Sequence, residues 1–161
     1  MAKWKNSPEM DEYLKKLERL NIDSREMIGE AIYDGAAVVA DAMRSQIQAL
    51  PVAQKYAGSG EKLTTITSVQ KQGLLEGFGI SKMREDGDFY NVKLGFQGYN
   101  GQKSHQYPNG QPNSVIARSV CSGTSFREKN DFVGRAVRGT KAAANRKMEE
   151  KFEEALKKLM W

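Results

Sequence analysis

Phe78 to Phe96 reads FGISKMREDGDFYNVKLGF, and this stretch decides the fold class. Tyr90, Val92, Leu94 and Phe96 alternate with Phe89, Asn91, Lys93 and Gly95. A period of two marks a strand with one face buried. Asp86-Gly87 separates this run from Phe78–Met83, and Asp-Gly between two such runs signals a hairpin.

On either side of the hairpin the periodicity is helical. Ser7-Pro8-Glu9 opens a helix, with Ser as a cap, Pro in the first turn and Glu at the positive end. Met10, Tyr13, Leu14, Leu17 and Leu20 share one face of it, and Asn21 is expected to end it. Asp23 with Glu26 has the spacing of a capping box and opens a second helix. Its stripe runs through Met27, Ile28, Ala31, Ile32, Ala36, Val39, Met43, Ile47 and Leu50, as far as Pro51. Gly35-Ala36-Ala37 within it predicts a close contact with another element rather than a kink. Ser68 is expected to cap a short helix through Leu74 and Leu75, closed by Gly77. Ser114–Ser122 fits a short helix stopped by Gly123, with a strand as the alternative. From Asn130 a stripe including Phe132, Val133, Ala136, Ala144, Met148, Phe152 and Leu159 is helical to the end.

This order predicts an α+β fold in a single domain spanning 1–161. A small antiparallel sheet with a central hairpin would be packed by a long helix in the N-terminal half and a long C-terminal helix. Residues 1–22 are expected as an N-terminal helix, and residues 52–68 and 97–113 as two mobile loops. Tyr99 and Tyr107 are candidate anchors within the second loop. The apolar stripes exceed what a two-stranded hairpin can cover. The helices must therefore cover each other, or part of the stripe is buried only between copies.

Composition narrows the function classes. The chain has 161 residues, 39% of them hydrophobic and 28% charged, with a formal net charge of +5. One Cys, Cys121, allows no internal disulfide, and with the one His, His105, gives no zinc-type ligand set. Cys121 with His105 is the sole thiol–imidazole pair the chain could form, and neither sits in a nucleophile motif. There is no phosphate-binding Gly-rich loop with its Lys-Ser/Thr, no metal-ligand spacing and no nucleophile elbow. The expectation is a protein that is not an enzyme and uses no cofactor. MAKWKNS at the start has no apolar core, and no apolar run approaches membrane-spanning length. A cytoplasmic site of synthesis and no membrane partner are expected. The basic residues Arg127, Lys129, Arg135, Arg138, Lys141, Arg146 and Lys147 form a dense set that does not fall on one face. Arg127, Lys129, Arg135 and Arg138 are candidate phosphate contacts, though solvation and pairing with a neighbour's acids also suit the set.

Several short segments resemble, in order, the tail-completion (head–tail joining, or neck) proteins of long-tailed phages. Gln72-Gly73-Leu74-Leu75-Glu76-Gly77-Phe78-Gly79-Ile80 is similar to that family's approach to its first strand. Ala117 to Ser125 resembles its Glu-x-Gly-Thr-Ser signature, with Cys121 in the Glu position. Asp131 to Val137 resembles its Pro-Phe-x-x-x-Ala block, with Asp131 in the Pro position, and Ala36 to Pro51 its long helix ending in Leu-Pro. The resemblance covers about three-quarters of the chain. It implies a structural virion subunit at the head–tail junction or proximal tail, made in the host cytoplasm. Its partners would be copies of itself in a ring (a hexamer) and other neck and tail proteins, with DNA at most as passing cargo. Gly123, Thr124, Ser125 and Phe132 would be structural or subunit-contact positions. A tail terminator and a basic nucleic-acid-binding module are the competing readings.

Overall fold

A computed structural model describes residues 8–53, 62–87 and 89–160. The elements are α1 (Pro8–Gln48), α2 (Ser68–Gly77), β1 (Phe78–Ile80), β2 (Arg84–Asp86), β3 (Phe89–Asn91), β4 (Leu94–Phe96), α3 (Asn113–Ser122) and α4 (Phe132–Met160). The α+β architecture is as the sequence predicts.

One boundary is corrected. The chain does not break at Asn21: α1 is a single helix of 41 residues, so the separate helix expected over 1–22 does not exist. Asn and Asp are only about 0.7 kcal/mol less favourable than Ala inside a helix, too little to end one that has neither Pro nor Gly at the junction. Residues 1–7 lie outside the described residues. At its far end α1 stops before Pro51, and Lys71 Nζ donates to the carbonyls of Gln48 and Leu50, capping carbonyls that the helix leaves open.

α1 and α4 pack against each other as an antiparallel pair. The seam is lined with small buried residues, Ala31, Ala36 and Ala40 on α1 with Ala136 and Ala144 on α4. At Gly35 the helices come so close that a Cβ there would stand 2.4 Å from Met148 Cγ and 3.1 Å from the Ala144 carbonyl oxygen. The expected close contact at this small-residue site is thus found. The main core forms where the C-terminal half of α1 meets α2, α3, β1, β4 and the start of α4. Ile47, Leu74 and Phe132 are its largest fully buried side chains. Phe78 packs tilted against Phe96, and Phe96 edge-to-face against Phe132, with ring centroids 5.3 Å and 6.1 Å apart.

The predicted hairpin is present, divided into two paired segments. Phe78 pairs with Phe96 and Ile80 with Leu94, whereas Arg84 pairs with Asn91 and Asp86 with Phe89. Between them the first strand carries one residue more than the second, the count of a β-bulge. Ser81 holds the junction: its N–H donates to Lys93 O at 2.7 Å, and its Oγ accepts from Lys93 N–H at 2.9 Å. Tyr33 pins the bulge to α1, accepting from Met83 N–H at 2.7 Å and donating to Ser81 O at 3.3 Å. The turn opens at Gly87 with φ 61°, one residue later than the Asp86-Gly87 reading places it. The outer arm is exposed, with Phe89 at its tip 77% accessible.

Residues 97–113 close on their own chain. Asn100 N–H donates to Gln111 O at 2.9 Å, Asn113 N–H to Gly98 O at 3.0 Å, and Asn113 Nδ2 to Gln97 O at 2.9 Å. Asn100 and Asn113 are buried under α2, where Gly73 leaves no room for a side chain: a Cβ would lie 2.5 Å from Asn100 Cβ and 2.6 Å from Asn113 Oδ1. Thr67, not Ser68, caps α2, in a reciprocal box with Gln70. Of the loop expected over 52–68, residues 54–61 lie outside the described residues. The part that follows is held between two other segments: Ile66 N–H donates to Pro51 O, Leu63 N–H to Phe126 O, and Glu128 N–H to Leu63 O.

Candidate functional site

The motif residues after α3 form a compact turn. Gly123 ends the helix with φ 74°, a backbone conformation that disfavours any side chain, and its N–H donates to Ser119 O. Thr124 N–H donates to Arg127 O at 2.9 Å, and Arg127 N–H donates back to Thr124 O at 3.4 Å, so Ser125 and Phe126 form the tip. Ser125 is exposed and Phe126 is 56% accessible. The Thr124 hydroxyl oxygen is buried and has no hydrogen-bond partner among the described residues. Phe132 is fully buried, a core residue and not a surface contact.

Arg127 corrects an expectation. Only 5% of it is accessible, and its guanidinium donates to Ser119 Oγ at 3.2 Å and Thr65 O at 2.6 Å. It ties α3, the turn and the 62–66 segment together and is no phosphate contact. A basic residue inside a run of basic residues gives no sequence signal that it turns inward.

Asp131 caps α4. Its carboxylate accepts from Gly134 N–H at 3.0 Å and pairs with Arg138 at 3.2 Å. The hydrogen bond from Gly134, then that from Arg138, holds the acid below its ordinary range. The carboxylate lies close over Gly134, where an added Cβ would press on it and make it shift. Asp-x-x-Gly ahead of an aromatic-led stripe was the legible signal for this cap.

The remaining basic candidates are exposed. Arg135 is held by neutral partners, Gln46 and Asn130, and has no ion-pair partner among the described residues; Lys129 is also exposed. At 100° per residue, Arg135, Arg138, Lys141 and Arg146 fall within an arc of about 140° on α4. That arc lies opposite the buried Phe132, Ala136 and Ala144. The full set of seven does not share a face, but these four do.

The two tyrosines differ. Tyr99 is 72% accessible and stands at the mouth of a shallow groove with Val69, Gln72 and Glu76 of α2. Tyr107 is half-buried, its N–H donating to Ser104 O and Oγ. Cys121 is half-buried, and that burial pushes its thiol above the usual range, the direction opposite to nucleophile activation. His105 is exposed. Among the described residues no cluster of His, Cys, Asp or Glu has the arrangement of a metal site, and no helix is long and apolar enough to cross a membrane.

The relation of α1 to α4 also bears on function. Gly35 stands against Met148, Glu30 pairs with Lys151, and Glu26 and Met27 border Ala155, Lys158 and Leu159. In this register Met160 lies opposite about residue 23. The first 15 or so residues of α1 therefore run past the end of α4, a distance of about 22 Å. Comparison of the chain with protein-family models, curated proteins and solved structures finds no match.

Proposed function

We propose that this chain is a structural subunit of a phage neck or tail, which completes the tail or joins it to the head connector by forming a ring. One observation carries the reading. α1 extends beyond its in-chain partner, and the part that extends is the part whose sequence bears the apolar stripe Met10, Tyr13, Leu14, Leu17 and Leu20. Such a stripe gains by being buried, and in a ring a neighbouring copy would supply the surface for it. The sequence resemblance supplies the setting, and copies of the chain together with other neck and tail proteins are the partners it suggests. Exposed aromatics at three separate tips, Phe89, Tyr99 and Phe126, are consistent with contacts on several sides.

Electron microscopy of the virion, with the chain labelled, tests this reading. The expected image is a ring of copies at the head–tail junction or proximal tail. Particles that lack the chain, or carry it as isolated copies elsewhere, would refute it. A second reading rests on the run Phe132–Met148 of α4, which has five basic residues and no acidic one: a surface that touches DNA phosphates. DNA binding with a steep inverse dependence on salt would favour that reading over a purely structural ring.

A further inference from the structure

We infer that copies of this chain join head to tail, the basic outer face of α4 on one copy receiving the acidic N-terminal half of α1 on the next, where residues 23–34 hold most of the acidic excess. The inference deepens the ring proposal and rests on it. It comes from how charge is distributed along the fold. Residues 8–34 of α1 carry eight acidic and four basic side chains, a net of −4. Residues 149–160 of α4, which pack beside them, carry four acidic and three basic. The other half of α4, residues 132–148, carries five basic side chains and no acidic one. One end of the two-helix unit is therefore negative and the other positive, while the chain as a whole is only mildly basic.

Contacts within the chain leave much of this charge available. Arg138 is engaged by Asp131, and on the facing part of α1 Asp41 is taken by Arg44. Among the described residues no carboxylate stands within ion-pair distance of Lys141, Arg146 or Lys147, and no cation pairs with Glu18 or Glu26. All five are exposed. Val137, 44% accessible, borders the basic arc and gives the contact an apolar element. Opposite potentials at the two ends of one helix pair favour a heterologous contact, in which each copy uses a different surface toward each neighbour. Such contacts close into rings when the rotation between neighbours permits.

A charge-swap experiment tests the inference. One variant reverses charge on the basic face (Lys141→Glu, Arg146→Glu), and the other reverses it on the acidic half of α1 (Glu18→Lys, Glu26→Lys). Thermal melts matching the wild type establish that both fold. In sedimentation at low salt the wild type is expected to self-associate, with an association constant that falls about tenfold or more as salt rises past the level where the screening length is about 8 Å. Each variant alone is expected to stay monomeric. An equal mixture is expected to recover assembly, with the two variants alternating. Self-association of either variant at the wild-type level, or a mixture that stays monomeric, overturns the inference, as does a wild type that is monomeric at high concentration and low salt. None of these results removes a ring seen in the virion. Conversely, a successful swap with no ring in the particle retains the contact and refutes the virion reading.

Discussion

Gly73→Ala and Gly139→Ala make the same chemical change in the same kind of structure, and they are expected to have opposite effects. Both glycines lie inside helices, where replacing Gly by Ala gains about 1 kcal/mol from reduced backbone freedom in the unfolded chain. At Gly139 nothing lies within 4 Å of the added methyl, so the gain is realised in full. For 161 residues the unfolding entropy makes 1 kcal/mol worth about 3 °C in Tm. Gly139→Ala should therefore raise Tm by about 3 °C. At Gly73 the methyl would stand 2.5 Å from Asn100 Cβ, 2.6 Å from Asn113 Oδ1 and 3.3 Å from Asn100 Cα. Two of these atoms are backbone or fixed directly to it, and both asparagines are buried with hydrogen bonds that resist movement. Overpacking of this kind costs about 1–3 kcal/mol, which exceeds the propensity gain in most of that range. The net expectation is a loss of up to about 2 kcal/mol, or about 6 °C. Circular dichroism melts and urea titrations of the two variants beside the wild type measure both signs. If Gly73→Ala stabilises as Gly139→Ala does, α2 does not pack on the 97–113 segment and the account of that region fails.

Thr124→Val keeps the side-chain shape but removes a buried hydroxyl that has no partner among the described residues; an unsatisfied buried polar group costs about 1–3 kcal/mol, so urea unfolding should show a gain near the lower end of that range. A loss of stability instead would mean that the hydroxyl is bonded. The Asp131 cap sets a pH dependence. Because the folded state holds this carboxyl below its ordinary value of 3.8, its contribution is complete above that value and is lost as pH falls through the lower folded value. The Tm advantage of wild type over Asp131→Asn should accordingly shrink as pH is lowered from about 6 to about 3, and an advantage that stays constant would exclude a charged cap.

Where one periodicity dominated, the fold was legible from sequence. Tyr90 to Phe96 identified the hairpin, and the stripe from Phe132 identified α4. The break assigned at Asn21 failed because weak local preferences yield to a continuous helix, and no local rule records that continuity. The bulge at Ser81 was hidden because a single extra residue leaves the alternation on each side intact. At the candidate site Gly123 could be read from chemistry, since a helix ending in left-handed backbone favours glycine. The inward turn of Arg127 could not, for it depends on Thr65, 62 residues away in sequence. The same holds for Asn100 and Asn113: polar residues in a polar loop look solvated until a helix bearing Gly73 is laid over them.

That α1 is one uninterrupted helix has a geometric consequence. It acts as a stiff spoke whose outer end is phased to the hub by helical pitch alone. Adding a single residue to its exposed portion would swing everything beyond by 100° and push it outward by 1.5 Å. Adding seven would leave the orientation nearly unchanged while lengthening the reach by about 10 Å. A partner bound at the outer end would therefore be sensitive to distance and azimuth together, and only insertions of roughly two turns would change the one while sparing the other.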